Sequence, residues 1–137
     1  MNIIKLVKDA KLPVGEYIVV GSGTMAALGI RDAGDIDLVI SAGLYQKLKQ
    51  TGWEEVDKGE YKVLYNDLFE AGLCWDSVNE IPNLDELKKD AVMIDGVAFA
   101  SLGRVREWKL KMRRLKDIKD VLLIDKYLEQ SQSVAGS

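Results

Sequence analysis

The sequence contains no histidine, a single cysteine and only two prolines among its 137 residues. Without histidine, metal sites with imidazole ligands and catalytic triads built on an imidazole base are excluded. One cysteine, Cys74, cannot form a disulfide within the chain. Any chemistry must therefore use carboxylates, lysine, arginine, serine or tyrosine.

Long apolar runs and a strong charge bias are also missing. No stretch approaches the ~20 apolar residues of a transmembrane helix, and residues 1–14 lack the apolar core of a signal peptide, so we expect a cytoplasmic protein with no membrane partner. The 19 Lys and Arg against 22 Asp and Glu do not favour binding to nucleic acid through overall charge. The length predicts one domain over residues 1–130, followed by a polar tail at 131–137 that we expect to be disordered.

The most informative stretch is residues 17–41, YIVVGSGTMAALGIRDAGDIDLVIS. Its apolar start predicts a buried strand that ends in a turn of small residues, Gly21-Ser22-Gly23. Such a turn allows backbone N–H groups to approach a phosphate closely. The remainder predicts a short helix, a turn and a second strand, over residues 24–29, 31–34 and 35–40.

Two acidic residues, Asp35 and Asp37, begin the second predicted strand. Because side chains alternate along a strand, both point to one face, while Ile36, Leu38 and Ile40 line the other. The sequence therefore predicts two carboxylates close to the glycine turn. A plainer alternative is that Asp35 only ends a turn and that Asp37 is solvated.

This arrangement resembles the signature of the nucleotidyltransferase superfamily, which has the polymerase-β-like fold. In that family a strand ends in Gly-Ser or Gly-Gly, and an Asp-x-Asp begins the next strand. The matching residues are Gly21-Ser22 and Asp35-Ile36-Asp37, joined by a segment that contains an arginine. Ala33 is a departure, because many relatives carry Ser or Thr two residues before the first acid.

A dinucleotide-binding fingerprint is the rival interpretation, because residues 21–26 also fit G-x-G-x-x-A after a strand. A Rossmann unit places its acidic residue at the carboxyl end of the second strand. Asp35 and Asp37 instead precede the apolar run, which favours the nucleotidyltransferase.

A third carboxylate is predicted on a later strand, residues 72–78 (GLCWDSV). Asp76 stands there among apolar residues, and burying an isolated carboxylate costs several kcal/mol unless it is paired or binds a metal. The family resemblance also implies a third acid on such a strand. Asp76 is the candidate, with Glu70 and Asp67 as alternatives, although on an edge strand Asp76 would be solvated.

The rest of the chain predicts further helices and strands, which makes the fold class α/β (α+β): one compact domain with a mixed central sheet flanked by helices. Helices are predicted at residues 2–10, 42–51, 82–90 and 101–130. Strands are predicted at residues 53–56 and 61–65, and a hairpin at 91–100 turns at Asp95-Gly96.

The long C-terminal helix has an apolar stripe that we expect to belong to the core, and we assign no function to Trp108 within it. The stripe comprises Val105, Trp108, Met112, Leu115, Ile118, Val121, Leu122, Ile124 and Leu128. A second line of charged residues has helical spacing and comprises Arg106, Lys109, Arg113, Lys116 and Asp120. Its plain interpretation is a solvated face with Lys116–Asp120 and Arg113–Asp117 pairs. The chain also resembles small toxin–antitoxin-associated and antibiotic nucleotidyltransferases, which implies that Lys109 faces the nucleotide. The matching residues, in order, are Gly96-Val97, Ser101-Leu102, Lys109 and the segment 114–120.

The resemblance implies transfer of an NMP from an NTP, taken as ATP, to an acceptor hydroxyl, with release of pyrophosphate. Asp35, Asp37 and Asp76 would hold Mg²⁺ or Mn²⁺, since oxygen-only ligands suit hard cations, and Asp76 would also be the base. Gly21, Ser22 and Lys109 would bind the nucleotide. The acceptor (small molecule, protein or RNA end) and the assembly (homodimer or partner subunit) stay open. The alternative is a non-catalytic nucleotide-binding or antitoxin-like partner-binding domain on the same fold.

Overall fold

The computed structural model describes residues 1–75 and 82–135 as helices around one mixed sheet. In chain order the elements are α1 (Ile3–Asp9), β1 (Tyr17–Val20), α2 (Ser22–Ala27), β2 (Ile36–Ile40), α3 (Ala42–Gln50), β3 (Glu54–Asp57), β4 (Lys62–Asn66), β5 (Phe69–Gly72), α4 (Leu84–Lys88), β6 (Val92–Ile94), β7 (Val97–Phe99), α5 (Leu102–Met112) and α6 (Leu115–Ala135). The predicted α/β class with a mixed sheet is confirmed. No helix in these two ranges is long and apolar enough to cross a membrane.

The sheet has seven strands in the order β3-β4-β5-β2-β1-β7-β6. At its centre β1 pairs antiparallel with β2 and parallel with β7, and β2 pairs parallel with β5. The dinucleotide-binding alternative is excluded for residues 17–41, because a Rossmann unit has parallel strands there. The predicted hairpin at Asp95-Gly96 is confirmed as β6 and β7.

Strand β2 is buried on both faces, as its position between β1 and β5 requires. Ile36, Leu38, Val39 and Ile40 are all at most 3% exposed. Asp37 is the one residue of this strand that keeps partial access to solvent. A carboxylate at the centre of the sheet is therefore the polar exception in an otherwise apolar strand.

The predicted C-terminal helix is two helices in the structure. Arg113 adopts a left-handed conformation (φ 53°) and ends α5. The Asp117 carboxylate then accepts a hydrogen bond from the backbone N–H of Arg114 at the start of α6. The chain turns here, and α6 continues to Ala135, beyond the end predicted at residue 130.

This break also overturns the expectation that the apolar stripe belongs to the core. Leu115, Ile118 and Leu122 are 71, 51 and 65% exposed, and Met112 and Leu128 are also exposed. The buried face of α6 instead has the spacing i, i+3, i+4, i+7 and comprises Asp117, Asp120, Val121 and Ile124. Val121 and Ile124 are the members of the stripe on α6 that are buried, because the turn at Arg113 sets the rotation of the new helix.

Gly23 lies inside α2, and we expect Gly23→Ala to destabilise the protein by about 1–3 kcal/mol, because an added Cβ would overpack the core. That Cβ would lie 2.4 Å from Val19 Cγ1 and 3.0 Å from Ile3 Cδ1. Gly103 in α5 is the matched control, since no atom of the described residues lies within 4 Å of its added Cβ. Gly103→Ala should be neutral or stabilising by up to about 1 kcal/mol. Urea denaturation of both variants measures the difference, and equal effects would contradict the packing of α2 on β1.

Candidate functional site

Three carboxylates meet near the amino-terminal ends of β2 and β5. Asp37 in β2 and Glu70 in β5 are direct partners across the parallel pair, so their side chains share a face. Asp35 lies just before β2. Each of the three offers a carboxylate oxygen within 4.8 Å of the others, with Asp35 exposed and the other two half-buried.

The structure therefore brings together Asp35 and Asp37, as predicted. The third acid of the cluster is Glu70 and not the first candidate, Asp76. Asp76 lies outside the described residues. Glu70, one of the two alternatives, joins the cluster, because it lies on β5 at residues 69–72, beside β2. Asp67, the other alternative, lies in the turn between β4 and β5 with φ 52°. Cys74, predicted to lie inside the strand, forms an isolated bridge with Asn83.

Asp37 is held in an environment that disfavours its charge. Burial, followed by repulsion from Asp35 and Glu70, raises the pKa of Asp37 to about 7. Its Oδ1 is buried and has no hydrogen-bond partner within the described part of the chain. A cation would satisfy this oxygen and remove the repulsion, and a ligand set of three carboxylates suits a hard divalent ion. The residues present therefore fit Mg²⁺ or Mn²⁺.

The predicted glycine turn lies against this cluster. Gly21 follows β1 with φ 66° and ψ −138°, a backbone conformation that glycine adopts readily and other residues rarely adopt. A Cβ built on Gly21 would lie 3.5 Å from Asp37 Oδ2, so the backbone runs beside the carboxylate. Ser22 begins α2, and its Oγ accepts a hydrogen bond of 2.6 Å from Arg31 Nη2. The roles of Gly21 and Ser22 in nucleotide binding stay predictions.

Lys109 is buried in a network of ion pairs, so the interpretation of its line as a solvated face is wrong for Lys109 and Asp120. Its Nζ lies 2.8 Å from Asp120 Oδ2 and 3.8 Å from Asp117 Oδ1. Asp120 also accepts two hydrogen bonds of 2.7 Å from Arg31. Asp117 accepts one of 2.6 Å from Arg114. The three cations and two acids leave one net positive charge close to the carboxylate cluster.

These contacts replace the ion pairs expected from spacing along one helix. Asp120 pairs with Arg31 and Lys109 rather than with Lys116, and Asp117 pairs with Arg114 and Lys109 rather than with Arg113. The reason is the turn at Arg113, which folds α6 back against α5. Lys109 is thus a partner of buried aspartates, and its contact with a nucleotide stays a prediction.

A cavity of about 940 Å³ opens beside Asp37 and Glu70, within the size range of ligand pockets. Trp75 and Trp108 line it and stack with their ring centroids 5.3 Å apart. The guanidinium of Arg114 lies 5.5 Å from the Trp108 ring centroid. Trp108, which the sequence predicts to be a core residue, therefore forms part of the wall next to the acids.

Comparison of the chain with protein-family models, with curated proteins and with solved structures finds no match.

The raised pKa of Asp37 predicts that the metal-free protein loses stability as pH rises. The folded protein holds this proton up to about pH 7, whereas an unfolded chain releases it near pH 4. Stability therefore falls across this window of about three pKa units, by about 4 kcal/mol at about 1.4 kcal/mol per unit. Urea denaturation of chelator-treated protein between pH 4 and 8 measures the loss. Asp37→Asn should lack this component, and an unchanged profile in the variant would contradict the assignment.

Proposed function

We propose that this protein is a metal-dependent nucleotidyltransferase that transfers an NMP from an NTP to an acceptor hydroxyl and releases pyrophosphate. The observation that carries the proposal is the convergence of Asp35, Asp37 and Glu70 beside Gly21. Asp37 has a buried oxygen that lacks a protein partner among the described residues, which supports a cation rather than a solvated acidic patch. The resemblance of residues 21–22 and 35–37 to the superfamily signature supports the same activity.

Asp35, Asp37 and Glu70 would hold one or two Mg²⁺ or Mn²⁺ ions. When bound, such an ion neutralises phosphate charge and lowers the pKa of an acceptor hydroxyl. Glu70 takes the place given to Asp76 in the sequence-based proposal, because its carboxylate adjoins that of Asp37.

The chain itself would orient the triphosphate through the turn after β1. The backbone N–H groups at Gly21 and Ser22 belong to the turn that runs beside the Asp37 carboxylate. The Ser22 hydroxyl can donate because its oxygen accepts from Arg31. Arg31 and Lys109 share Asp120, which holds both cations behind the turn. Lys109 would thus favour binding of the triphosphate in two ways. Its own charge attracts the anion, and its ion pair with Asp120 helps to hold the residue that positions Arg31.

The cavity next to Asp37 and Glu70 offers room for the nucleotide and for part of an acceptor. Its aromatic wall at Trp75 and Trp108 suits flat rings. ATP is the nucleotide we propose, and the acceptor is a small molecule, a protein or an RNA end. Attack of its hydroxyl oxygen on the α-phosphorus would break the P–O bond to the β-phosphate, with pyrophosphate as the leaving group and the hydroxyl proton passing to solvent.

The experiment is incubation of the protein with each NTP, Mg²⁺ or Mn²⁺ and a cell lysate, with pyrophosphate release as the readout. Asp37→Asn should lose the release, and Asp9→Asn, which removes an exposed carboxylate on α1, should retain it. A non-catalytic nucleotide-binding or antitoxin-like domain would instead melt at a higher temperature with Mg²⁺-ATP and release no pyrophosphate. That second outcome would overturn the proposed catalysis.

A further inference from the structure

Tyr65 makes a contact that the sequence does not predict, with a member of the carboxylate cluster. It lies on β4 directly opposite Glu70 on β5, and Glu70 in turn lies directly opposite Asp37 on β2. The three side chains therefore share one face across three neighbouring strands. The Tyr65 hydroxyl donates a hydrogen bond of 2.9 Å to Glu70 Oε1.

We propose that Tyr65 is a positioning residue that holds the Glu70 carboxylate towards Asp35 and Asp37 for cation binding. The inference rests on the proposed function, because it gives Glu70 the role of a ligand. Tyr65 itself would not touch the cation. It would act through the orientation of its neighbour, as the partners of metal ligands commonly do.

Glu70 is the member of the cluster that most needs such a restraint. A glutamate has one more rotatable bond than an aspartate, so its carboxylate samples more positions and loses more freedom on binding. Asp37 is already confined within the central strand β2. A hydrogen bond to one oxygen of Glu70 fixes the plane of its carboxylate before a cation arrives.

Tyr65 is itself held in place, which a positioning residue requires. Its ring belongs to β4 and is half-buried. The Lys58 ammonium lies over the ring, 5.3 Å from its centroid, in the geometry of a cation–π contact. The Tyr65 side chain is thus restrained by its position in β4 and by the contact with the Lys58 ammonium.

The chain offers a matched control for the loss of a tyrosine–glutamate hydrogen bond. The Tyr45 hydroxyl donates to Glu55 Oε2 at 2.8 Å. Glu55 is not a member of the carboxylate cluster. Tyr45→Phe removes the same chemical contact as Tyr65→Phe, so a general effect of losing such a bond appears in both variants.

The test is a titration of the full chain with Mn²⁺, with free Mn²⁺ followed by electron paramagnetic resonance. We expect Tyr65→Phe to weaken Mn²⁺ binding by roughly tenfold or more, and Tyr45→Phe to leave it within about twofold of the wild type. Tyr65→Phe should also have less than about a twofold effect when it is added to Glu70→Gln, because its influence passes through the Glu70 carboxylate. Thermal melts of each metal-free variant establish that the chain is folded.

The outcomes separate this inference from the proposed function. Wild-type affinity in Tyr65→Phe, in a protein that binds Mn²⁺, overturns the positioning role and leaves the metal site intact. An equal loss in Tyr65→Phe and Tyr45→Phe, or a full tenfold loss in the Glu70→Gln background, also overturns it. Failure of the wild type to bind Mn²⁺ overturns the proposed metal site and the positioning role together.

Discussion

Replacing Asp37 with asparagine is expected to abolish metal-dependent turnover and, at the same time, to stabilise the metal-free protein. The loss of activity follows because asparagine removes the charge of the carboxylate whose buried Oδ1 has no hydrogen-bond partner among residues 1–75 and 82–135. The gain in stability follows because burial and repulsion by Asp35 and Glu70 disfavour the ionised group. A residue that weakens the fold while supporting function is typical of an active site.

The expected gain is about 4 kcal/mol at pH 8, since the pKa of Asp37 is raised from 3.8 to about 7 and each pKa unit corresponds to about 1.4 kcal/mol. Urea denaturation of chelator-treated wild type, Asp37→Asn and Asp9→Asn measures it. Added Mg²⁺ should stabilise the wild type and Asp9→Asn but not Asp37→Asn. A variant that keeps wild-type turnover with an unchanged metal requirement would contradict the assignment of Asp37.

Replacing Lys109 with alanine is expected to cost about 3 kcal/mol of stability, because it leaves two buried carboxylates short of a cation. Asp117 and Asp120 are 0 and 4% exposed, and Lys109 is 3% exposed. Arg31 and Arg114 still pair with these acids, so the loss should lie at the low end for a broken buried pair. Lys116 is the matched control, since it is an exposed lysine on the adjoining helix.

Lys116→Ala should change stability by less than about 0.5 kcal/mol. Lys109→Met keeps most of the aliphatic stem, so its difference from Lys109→Ala separates packing from charge. Chemical denaturation measures all three variants. Equal stabilities of Lys109→Ala and Lys116→Ala would mean that Lys109 is not held between the two aspartates. Titration with a non-hydrolysable ATP analogue then reports whether Lys109 also contributes to nucleotide affinity.

Local signals in the sequence predict the elements around the site well. The apolar run at residues 17–20, the small residues that follow it and the alternation at Asp35 and Asp37 correctly predict two strands and a pair of converging acids. These features depend on neighbouring residues only, which is why they can be read from one chain. The hairpin at Asp95-Gly96 is predictable for the same reason.

The third carboxylate depends on the register between distant segments, which the sequence does not reveal. Glu70 adjoins Asp37 because β5 pairs in parallel with β2, and such pairing joins residues far apart in the chain. The strand at residues 69–72 is only four residues long, so its alternation of side chains is too short to predict it from the sequence. The apolar neighbours of Asp76 in the sequence favour it as the third acid. Neighbours in the sequence do not determine, however, which side chains contact each other in the fold.

The environment of Lys109 was missed because one residue changes the helix geometry. A left-handed conformation at a non-glycine residue such as Arg113 is uncommon, and no glycine or proline indicates a break there. A continuous helix would separate Lys109 from Asp120 by about 16 Å along its axis and would bury the stripe at Leu115 and Leu122. Tertiary packing instead buries the acids of α6, since Lys109, Arg31 and Arg114 neutralise them.

Nucleotidyl transfer at the cluster of Asp35, Asp37 and Glu70 would move the α-phosphate of the NTP and not its γ-phosphate. The most direct measurement compares NTP labelled at the α-phosphate with NTP labelled at the γ-phosphate, in the presence of Mg²⁺ and a lysate that supplies the acceptor. We expect that the α-label becomes attached to an acceptor, that the γ-label is released in pyrophosphate, and that Asp37→Asn does neither. Attachment of the γ-label, or attachment of the α-label at an equal rate by Asp37→Asn, would contradict this expectation.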